Sequence, residues 1–271
     1  MTTTTLTPQP AGPSDAGGLR RAVNRVPEIT IWFWVIKVLA TTVGETFADF
    51  LNDKIGIGLT GTTVIMAVLL AGALVVQFRA RGYVPWKYWL VVVLISVVGT
   101  LITDNLVDNM GVSLIACTIG FGVAMLATFA VWYSREHTLS IHHIDSTARE
   151  AWYWVAILFT FALGTAAGDL IAEQFNIGYL NSVLLFGAAI GMVAVAWKYL
   201  NVNAVAAFWV AYVLTRPLGA SLGDLLSQSR ADGGLGLGST TTSYVFLGAI
   251  AAVVVLMTRA GRTELEPGPA T

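Results

Sequence analysis

Long apolar stretches recur through this chain and are separated by short polar segments. Several stretches reach about 20 residues, the length that an α-helix needs to cross the hydrocarbon core of a bilayer. Apolar and polar positions do not alternate strictly within them, so helices are favoured over the strands of a closed barrel. The pattern predicts eight transmembrane helices, with the approximate bounds Glu28–Leu51, Gly58–Phe78, Trp86–Val107, Val112–Tyr133, Arg149–Gln174, Tyr179–Tyr199, Ala204–Ser227 and Thr240–Thr258.

A polar pattern interrupts every second predicted helix. It reads roughly Gly-Thr-x-x-Gly-acid-x-x-x-acid, and its first acid is Glu45, Asp104, Asp169 or Asp224. Alignment on this acid gives spacings of 59, 65 and 55 residues. A regular period of this length indicates tandem structural repeats. Each repeat is interpreted as one helical hairpin whose first helix carries the pattern, so the four patterned helices run in the same direction.

The predicted fold is therefore all-α, an integral membrane bundle of four tandem helical hairpins in parallel repeat. A single transmembrane domain of residues 26–261 contains the repeats 27–83, 85–141, 147–203 and 204–261. Residues 1–25 are expected to form a disordered tail and residues 262–271 a polar tail, because neither contains an apolar run that could pack.

Composition excludes several classes of protein. Hydrophobic residues make up 56% of the chain and charged residues 11%, and a net charge of −1 does not indicate nucleic-acid binding. The single cysteine, Cys117, excludes a disulfide framework. The chain contains no Walker loop, HExxH or CxxC, and it lacks the Tyr-Asp and Gly-x-Gly-Asp signatures of intramembrane aspartyl proteases. Neither an enzyme nor a cofactor is therefore expected.

Basic residues are distributed unequally between the two ends of the predicted helices. One side has only Lys54 and Arg230, whereas the side of the chain termini has Arg20, Arg21, Arg25, Arg79, Arg81, Lys87, Arg135, Arg149, Lys198, Arg259 and Arg262. The positive-inside rule then predicts that both termini are cytoplasmic. All nine tryptophans fall near the same ends and are interpreted as interfacial anchors.

Residues four apart share one face of a helix, so the polar pattern extends into a column in each repeat. The four columns are Lys37, Thr41, Glu45, Asp49; Ser96, Thr100, Asp104, Asp108; Phe161, Thr165, Asp169, Glu173; and Arg216, Ala220, Asp224, Gln228. In this alignment the two membrane-embedded cations, Lys37 and Arg216, occupy the same repeat position. The outer acids Asp49, Asp108 and Glu173 are expected near the external mouth, one turn beyond the deeper acids.

The columns carry seven acids and two cations, which leaves a formal excess of five negative charges. Charges that face lipid are costly, so the columns are expected to face the interior of the bundle. The excess is relieved if some acids hold protons or if the site binds a cation, for which oxygen ligands suit Mg²⁺, Ca²⁺ or Mn²⁺. Both together describe a proton-coupled cation carrier.

This hypothesis assigns a role to each column residue. Glu45, Asp104, Asp169 and Asp224 bind the cation as metal ligands, and Asp49, Asp108 and Glu173 recruit it or relay protons. Supporting roles fall to the hydroxyls of Thr41, Thr100 and Thr165 and to the cations Lys37 and Arg216, which neutralise surplus charge. The expected partners are the lipid bilayer and the transported cation, and a homo-oligomer is left open. A second metal site could form from His137, His142 and His143, although loop histidines are more often simply solvated.

The residues Val26-Pro27-Glu28-Ile29-Thr30, Lys37 through Asn52, and Gly164-Thr165-Ala166-Ala167-Gly168-Asp169 carry a resemblance. The chain resembles a bacterial family of multi-pass membrane proteins made of four copies of a repeat of unknown function. The resemblance covers about residues 26–261 and implies the inner membrane of a bacterium, but no activity. The Gly-acid pairs are also similar in design to those of manganese and calcium exporters, whose upstream Glu and downstream cation are missing here.

The leading prediction is a secondary transporter of a cation, with a divalent metal such as manganese favoured. One alternative is a non-transporting membrane scaffold or sensor, in which the columns are closed networks of ion pairs and hydrogen bonds, such as Lys37 with Glu45 or Arg216 with Asp224. Another is a carrier of organic cations or a proton-coupled solute carrier, which a pocket lined by aromatic side chains would favour.

Overall fold

The computed structural model describes residues 24–55 and 58–263, apart from the side chains of residues 53–55 and 260–263. The described residues form eight long helices: α1 (Ile31–Ile55), α2 (Gly58–Phe78), α3 (Pro85–Asp104), α4 (Leu114–Glu136), α5 (Thr147–Asp169), α6 (Tyr179–Tyr199), α7 (Ala204–Ser227) and α8 (Ser239–Thr263). All eight are long and apolar enough to cross a membrane, so the predicted all-α membrane bundle is confirmed. The rest of the predicted tails and the side chain of Lys54 lie outside the described residues.

Alternate helices have different environments. The polar pattern lies on α1, α3, α5 and α7, and in these helices 56–61% of the apolar membrane-spanning segment is buried inside the protein. In α2, α4, α6 and α8 the buried share of that segment is 11–22%. Contacts also connect the four patterned helices into a closed ring, in the order α1, α3, α5, α7 and back to α1. The bundle is therefore a ring of four inner helices, surrounded by four outer helices whose aliphatic side chains face the lipid.

Each outer helix packs mainly against the inner helix of the following repeat. Helix α2 packs on α3, α4 on α5, α6 on α7, and α8 returns to pack on α1. Contacts between the two helices of one repeat are few by comparison. The four hairpins are thus interleaved in space, and the last repeat closes on the first.

Glycines allow the inner helices to approach one another closely. A Cβ atom on Gly164 of α5 would overlap Arg216 of α7, and a Cβ atom on Gly219 of α7 would overlap Thr41 of α1. Small residues are the usual means by which membrane helices pack closely. The glycines of the repeated pattern therefore set the spacing of the inner ring.

The segment that precedes α1 is tied to the start of α5. The side-chain amide of Asn24 donates to the carbonyl of Ile141 over 3.2 Å. Arg25 forms an ion pair of 2.6 Å with Glu150, which is fully buried and also accepts a 2.8 Å hydrogen bond from Gln77 of α2. These contacts lie where the inner helices begin, which is called the terminal side below; the opposite side is called the acidic side.

Candidate cation-binding site

A cavity of about 180 Å³ lies between the inner helices on the acidic side. Seven carboxylates line it, namely Glu45, Asp49, Asp104, Asp108, Asp169, Glu173 and Asp224. The rest of the lining comes from Asn52, Leu59, Thr103, Val107, Leu114 and Gln228. The structure thus brings together all seven acids that the columns predicted, and the lining contains no aromatic side chain.

Three of the seven acids converge closely. One carboxylate oxygen from each of Glu45, Asp169 and Asp224 lies within 4.8 Å of the other two. Hard divalent cations take six or more oxygen ligands, so this trio can supply half a coordination shell that water and neighbouring carboxylates complete. In the described part of the chain no other group of three or more His, Cys, Asp or Glu side chains has this geometry. The three loop histidines are not such a group.

Four aspartates, one from each inner helix, follow one another around the cavity. Asp49 lies on α1, Asp104 on α3, Asp169 on α5 and Asp224 on α7, and all four line the cavity. Because these four helices form a closed ring in that order, the aspartates follow one another around it. We call these four residues the aspartate ring.

Two inner helices change their geometry directly after the aspartate ring. Beyond Asp104, α3 continues as the π-helical turn Asn105–Asn109, and beyond Asp169, α5 continues as the π-helical turn Leu170–Gln174. These wider turns carry Asp108 and Glu173, the second acids of their columns. Single π turns within helices occur frequently at functional sites. The deviation places a second carboxylate from each helix on the cavity.

Arg216 lies next to the acids and is fully buried. Its Nη2 atom donates to the carboxylate of Glu45 over 2.8 Å, to the hydroxyl of Thr165 over 2.6 Å, and to the hydroxyl of Thr100. Its Nη1 atom donates to the carbonyl of Thr41 over 3.3 Å. The three threonines predicted to support a bound ion therefore surround the guanidinium group instead.

The ion pairs expected for a scaffold are not the ones found among the described residues. Glu45 pairs with Arg216 rather than with Lys37, and Arg216 does not pair with Asp224. The terminal nitrogen of Lys37 is fully buried and has no hydrogen-bond acceptor within the described chain. It lies 4.2 Å from the ring centroids of both Phe161 and Tyr212, an arrangement in which the aromatic faces stabilise a cation.

An aromatic residue followed by tryptophan lies within the first eight residues of each inner helix: Phe33-Trp34, Tyr88-Trp89, Tyr153-Trp154 and Phe208-Trp209. The first residue of each pair contacts the tryptophan of the next inner helix, with centroid distances of 5.8, 5.4, 6.1 and 5.7 Å around the circle. We call these eight residues the aromatic girdle. Trp89, Trp154 and Trp209 of the girdle are buried in the core, so the anchor interpretation is wrong for these three, whereas Trp34 is half-buried. Trp32, Trp86 and Trp197 are exposed on the surface, as anchors would be.

Comparison with known families gives four matches along the chain. The family described as Repeat of Unknown Function (DUF347) matches residues 32–83, 87–138, 152–202 and 207–263. The chain belongs to the DUF347 repeat family. The four DUF347 matches begin and end within five residues of the predicted repeats. No curated protein and no solved structure matches the chain significantly.

The DUF347 matches correct the register of the first repeat. Counted from the first matched residue, the aspartate-ring residues Asp49, Asp104, Asp169 and Asp224 all have the same offset. The same holds for Gly44, Gly99, Gly164 and Gly219, and for the four tryptophans of the girdle. Alignment on the first acid is therefore wrong by one helical turn in the first repeat, where Glu45 corresponds to Thr100, Thr165 and Ala220.

The corrected register separates the two buried cations. Arg216 corresponds to Thr41, Ser96 and Phe161, whereas Lys37 corresponds to Val92, Ile157 and Tyr212. The predicted coincidence of the two cations at one repeat position is therefore wrong. The guanidinium group of Arg216 reaches about one helical turn further along each of the other three inner helices, where it contacts Glu45, Thr100 and Thr165. Its own helix has the small Ala220 at that position.

Sequence reasoning missed two features of this DUF347 site. It did not identify the aromatic girdle, although the aromatic–tryptophan pair recurs at the same offset in all four repeats. It also did not identify Glu45 as the partner of Arg216, because that contact joins helices of the first and fourth repeats. The aromatic girdle could have been found from its recurring residue pair, whereas nothing in the sequence indicated the contact between Glu45 and Arg216.

Proposed function

We propose that this DUF347 protein is a secondary membrane transporter of a divalent metal cation such as Mn²⁺, coupled to protons. The observation that carries the proposal is the cavity lined by seven carboxylates, three of which present oxygens within 4.8 Å of one another. Sites made only of oxygen ligands suit Mg²⁺, Ca²⁺ and Mn²⁺. Ionisable side chains inside a membrane cost free energy, so their presence there indicates a function.

The character of the cavity supports metal transport over the two alternatives. A scaffold would require its acids to be paired internally, yet Glu45, Asp169 and Asp224 place oxygens within 4.8 Å of one another and Arg216 pairs with Glu45. A carrier of organic cations would be expected to offer aromatic faces, and the cavity lining has none. A small cavity with hard oxygen donors fits an inorganic cation better than either.

We further propose that the terminal side is cytoplasmic, in the inner membrane of a bacterium. Among the described residues, eight basic residues lie at terminal-side helix ends and loops: Arg25, Arg79, Arg81, Lys87, Arg135, Arg149, Lys198 and Arg259. On the acidic side the described residues include Arg230. The positive-inside rule favours this orientation. The acidic cavity then faces the cell exterior.

In this orientation the described conformation corresponds to an outward-facing carrier. The cation reaches the aspartate ring from the exterior, while Arg216, the Lys37–Phe161 contact and the aromatic girdle close the cytoplasmic half. A cation bound by Glu45 competes with Arg216 for the same carboxylate. Loss of that ion pair is the step that we propose to couple ion binding to movement of α7, which carries Pro217 directly after the arginine.

The test is metal uptake into proteoliposomes with an entrapped metal-sensitive dye. The wild type is compared with an Asp104→Asn plus Asp169→Asn variant, and the exposed loop variant Asp232→Asn is the matched control. We expect uptake of at least one of Mn²⁺, Mg²⁺, Ca²⁺, Co²⁺ and Ni²⁺ by the wild type and the control but not by the double variant. Equal behaviour of all three proteins toward every metal would reject metal transport.

A further inference from the structure

The guanidinium group of Arg216 lies in a cage of oxygen atoms from two faces of the inner ring. The carboxylate of Glu45 on α1, the hydroxyl of Thr100 on α3 and the hydroxyl of Thr165 on α5 all accept from its Nη2 atom. The carbonyl of Thr41 on α1 accepts from Nη1 over 3.3 Å. We call these four oxygen groups the oxygen cage. It lies one helical turn deeper than the aspartate ring, because Glu45, Thr100 and Thr165 each precede a ring aspartate by four residues.

The oxygen cage does not match the hydrogens of a guanidinium group. The five N–H donors of an arginine leave two hydrogens on Nη2, yet three oxygens lie within hydrogen-bonding distance of that atom. The Nε atom of Arg216 is buried and has no acceptor among the described residues. Acceptors that suit arginine are spread over its planar fork of N–H groups. Oxygens that converge on one point have instead the arrangement of ligands around a spherical ion.

The spacing and the charge of the oxygen cage indicate the class of ion. The hydroxyl oxygen of Thr100 lies 3.3 Å from the carboxylate oxygen of Glu45 and 3.4 Å from the hydroxyl oxygen of Thr165. Two oxygens that bind one Ca²⁺ at right angles, at its usual ligand distances, lie about 3.3–3.7 Å apart. Na⁺ has nearly the radius of Ca²⁺. Because the cage contains a single carboxylate, it balances one positive charge rather than two.

The pair of Arg25 and Glu150 shows how a different arginine–glutamate contact is built. The carboxylate of Glu150 also accepts hydrogen bonds from the side chains of Gln77 and Trp154, over 2.8 and 3.4 Å. These two neighbours are N–H donors, which stabilise the carboxylate directly and cannot bind a cation. The neighbours of Glu45 in the oxygen cage are oxygens, and each can turn a lone pair toward a cation.

We propose that the oxygen cage is a binding site for a monovalent cation of the size of Na⁺, and that Arg216 is its resident cation in the described conformation. The ion reaches the cage from the acidic cavity, whose lining includes Glu45. It enters when α7 carries the guanidinium group away, and Pro217 weakens the backbone of that helix directly after the arginine. The cage holds one positive charge in both states, so the buried Glu45 keeps a counter-ion. The site does not require the aspartate ring to carry a metal, so the inference goes beyond the proposed function.

The experiment measures thermal unfolding in detergent without divalent metals. NaCl, KCl or guanidinium chloride is added at millimolar concentration, and choline chloride keeps the ionic strength constant. The test variant is Arg216→Ala, which leaves the oxygen cage to a free cation. The matched control is Arg25→Ala, which also deprives a buried glutamate of its arginine but leaves N–H donors around it. A third variant, Glu45→Gln plus Arg216→Ala, removes the charge of the cage as well.

We expect Na⁺ to raise the unfolding temperature of Arg216→Ala by roughly 5 °C or more at saturation, relative to choline alone. K⁺ should require a higher concentration, and guanidinium should also restore stability because it replaces the missing group. The wild type, Arg25→Ala and the double variant should unfold at the same temperature in Na⁺ as in choline.

Three results would overturn the inference: no effect of Na⁺ on Arg216→Ala, stabilisation of that variant by guanidinium alone, or an equal effect of Na⁺ on Arg25→Ala. An Arg216→Ala protein that stays unfolded in every salt would overturn it too, because a free cation should then have filled the cage and restored the fold. Since the assay contains no divalent metal, these outcomes are independent of metal transport by the wild type.

Discussion

The carboxylate of Glu45 on α1 and the guanidinium of Arg216 on α7 lie 2.8 Å apart, and both groups are buried. This contact joins the first repeat to the fourth at the inner end of the acidic cavity. Its acid, Glu45, occupies a repeat position at which two other repeats have threonine. Because each member is the counter-ion of the other, neither can be removed alone without leaving a buried charge.

Replacing Arg216 with Gln should therefore destabilise the protein by about 3–5 kcal/mol, the usual loss when one partner of a buried ion pair is removed. The measurement is thermal or denaturant unfolding in detergent. A Glu45→Gln plus Arg216→Gln variant should recover part of the loss, because the charge of Glu45 is then removed together with that of its partner. Additive effects of the two substitutions would show that the residues are not coupled.

Gly164→Ala should lower stability, because its added methyl group would overlap the side chain of Arg216. We expect a loss of about 1–3 kcal/mol from overpacking. Gly187→Ala on the outer helix α6 is the matched control, since no atom lies within 4 Å of the position of its new methyl group. Unfolding measurements on both variants check the prediction, and equal loss in both would contradict the close approach of α5 and α7.

Asp49→Asn should weaken Mn²⁺ binding as strongly as Asp104→Asn or Asp169→Asn does. The corrected register places Asp49 in the aspartate ring, and we expect each substitution to lower affinity by about 10-fold or more. Isothermal titration of the purified protein measures the affinity, and Asp232→Asn provides the baseline. If Asp49→Asn binds like the baseline while the other ring variants do not, Asp49 is not a member of the ring.

Arg25→Ala should free the segment before α1 from the start of α5. The lost contact is a charge-assisted hydrogen bond to the buried Glu150, worth about 1.5–3 kcal/mol. We expect faster cleavage near residues 24–30 by proteinase K, whereas Arg81→Ala at an exposed position should leave the cleavage rate unchanged. Identical rates for the two variants would mean that the ion pair does not hold the segment.

The helices were predictable from the sequence because the bilayer fixes the length and the apolar character of a helix that crosses it. Each span needs a long apolar run, and the predicted second helix, Gly58–Phe78, agrees with α2 at both ends. The start of the first helix differs, since Glu28 lies before the observed Ile31. A polar residue at a helix end can lie either in the first turn or just before it, so hydropathy does not determine such boundaries.

The acids that line the cavity were also predictable, but their register in the first repeat was not found by acid spacing. Glu45 is an additional acid at a threonine position, and alignment on the first acid therefore shifts the repeat by one turn. The aromatic–tryptophan pair and Gly44 keep the correct spacing to Asp49. The partner of Arg216 was beyond prediction, because a single sequence contains no information on which helices of distant repeats touch.

The packing of α8 on α1 has a consequence for how the protein is made. Of the eight described helices, α1 leaves the ribosome before the others, but its outer neighbour α8 is synthesised after them. Until then α1 lacks the outer helix that packs on it, although the inner ring of α1, α3, α5 and α7 is already complete. A chain that stops before Ser239 therefore contains all four inner helices and every residue that lines the cavity, but α1 lacks its outer neighbour.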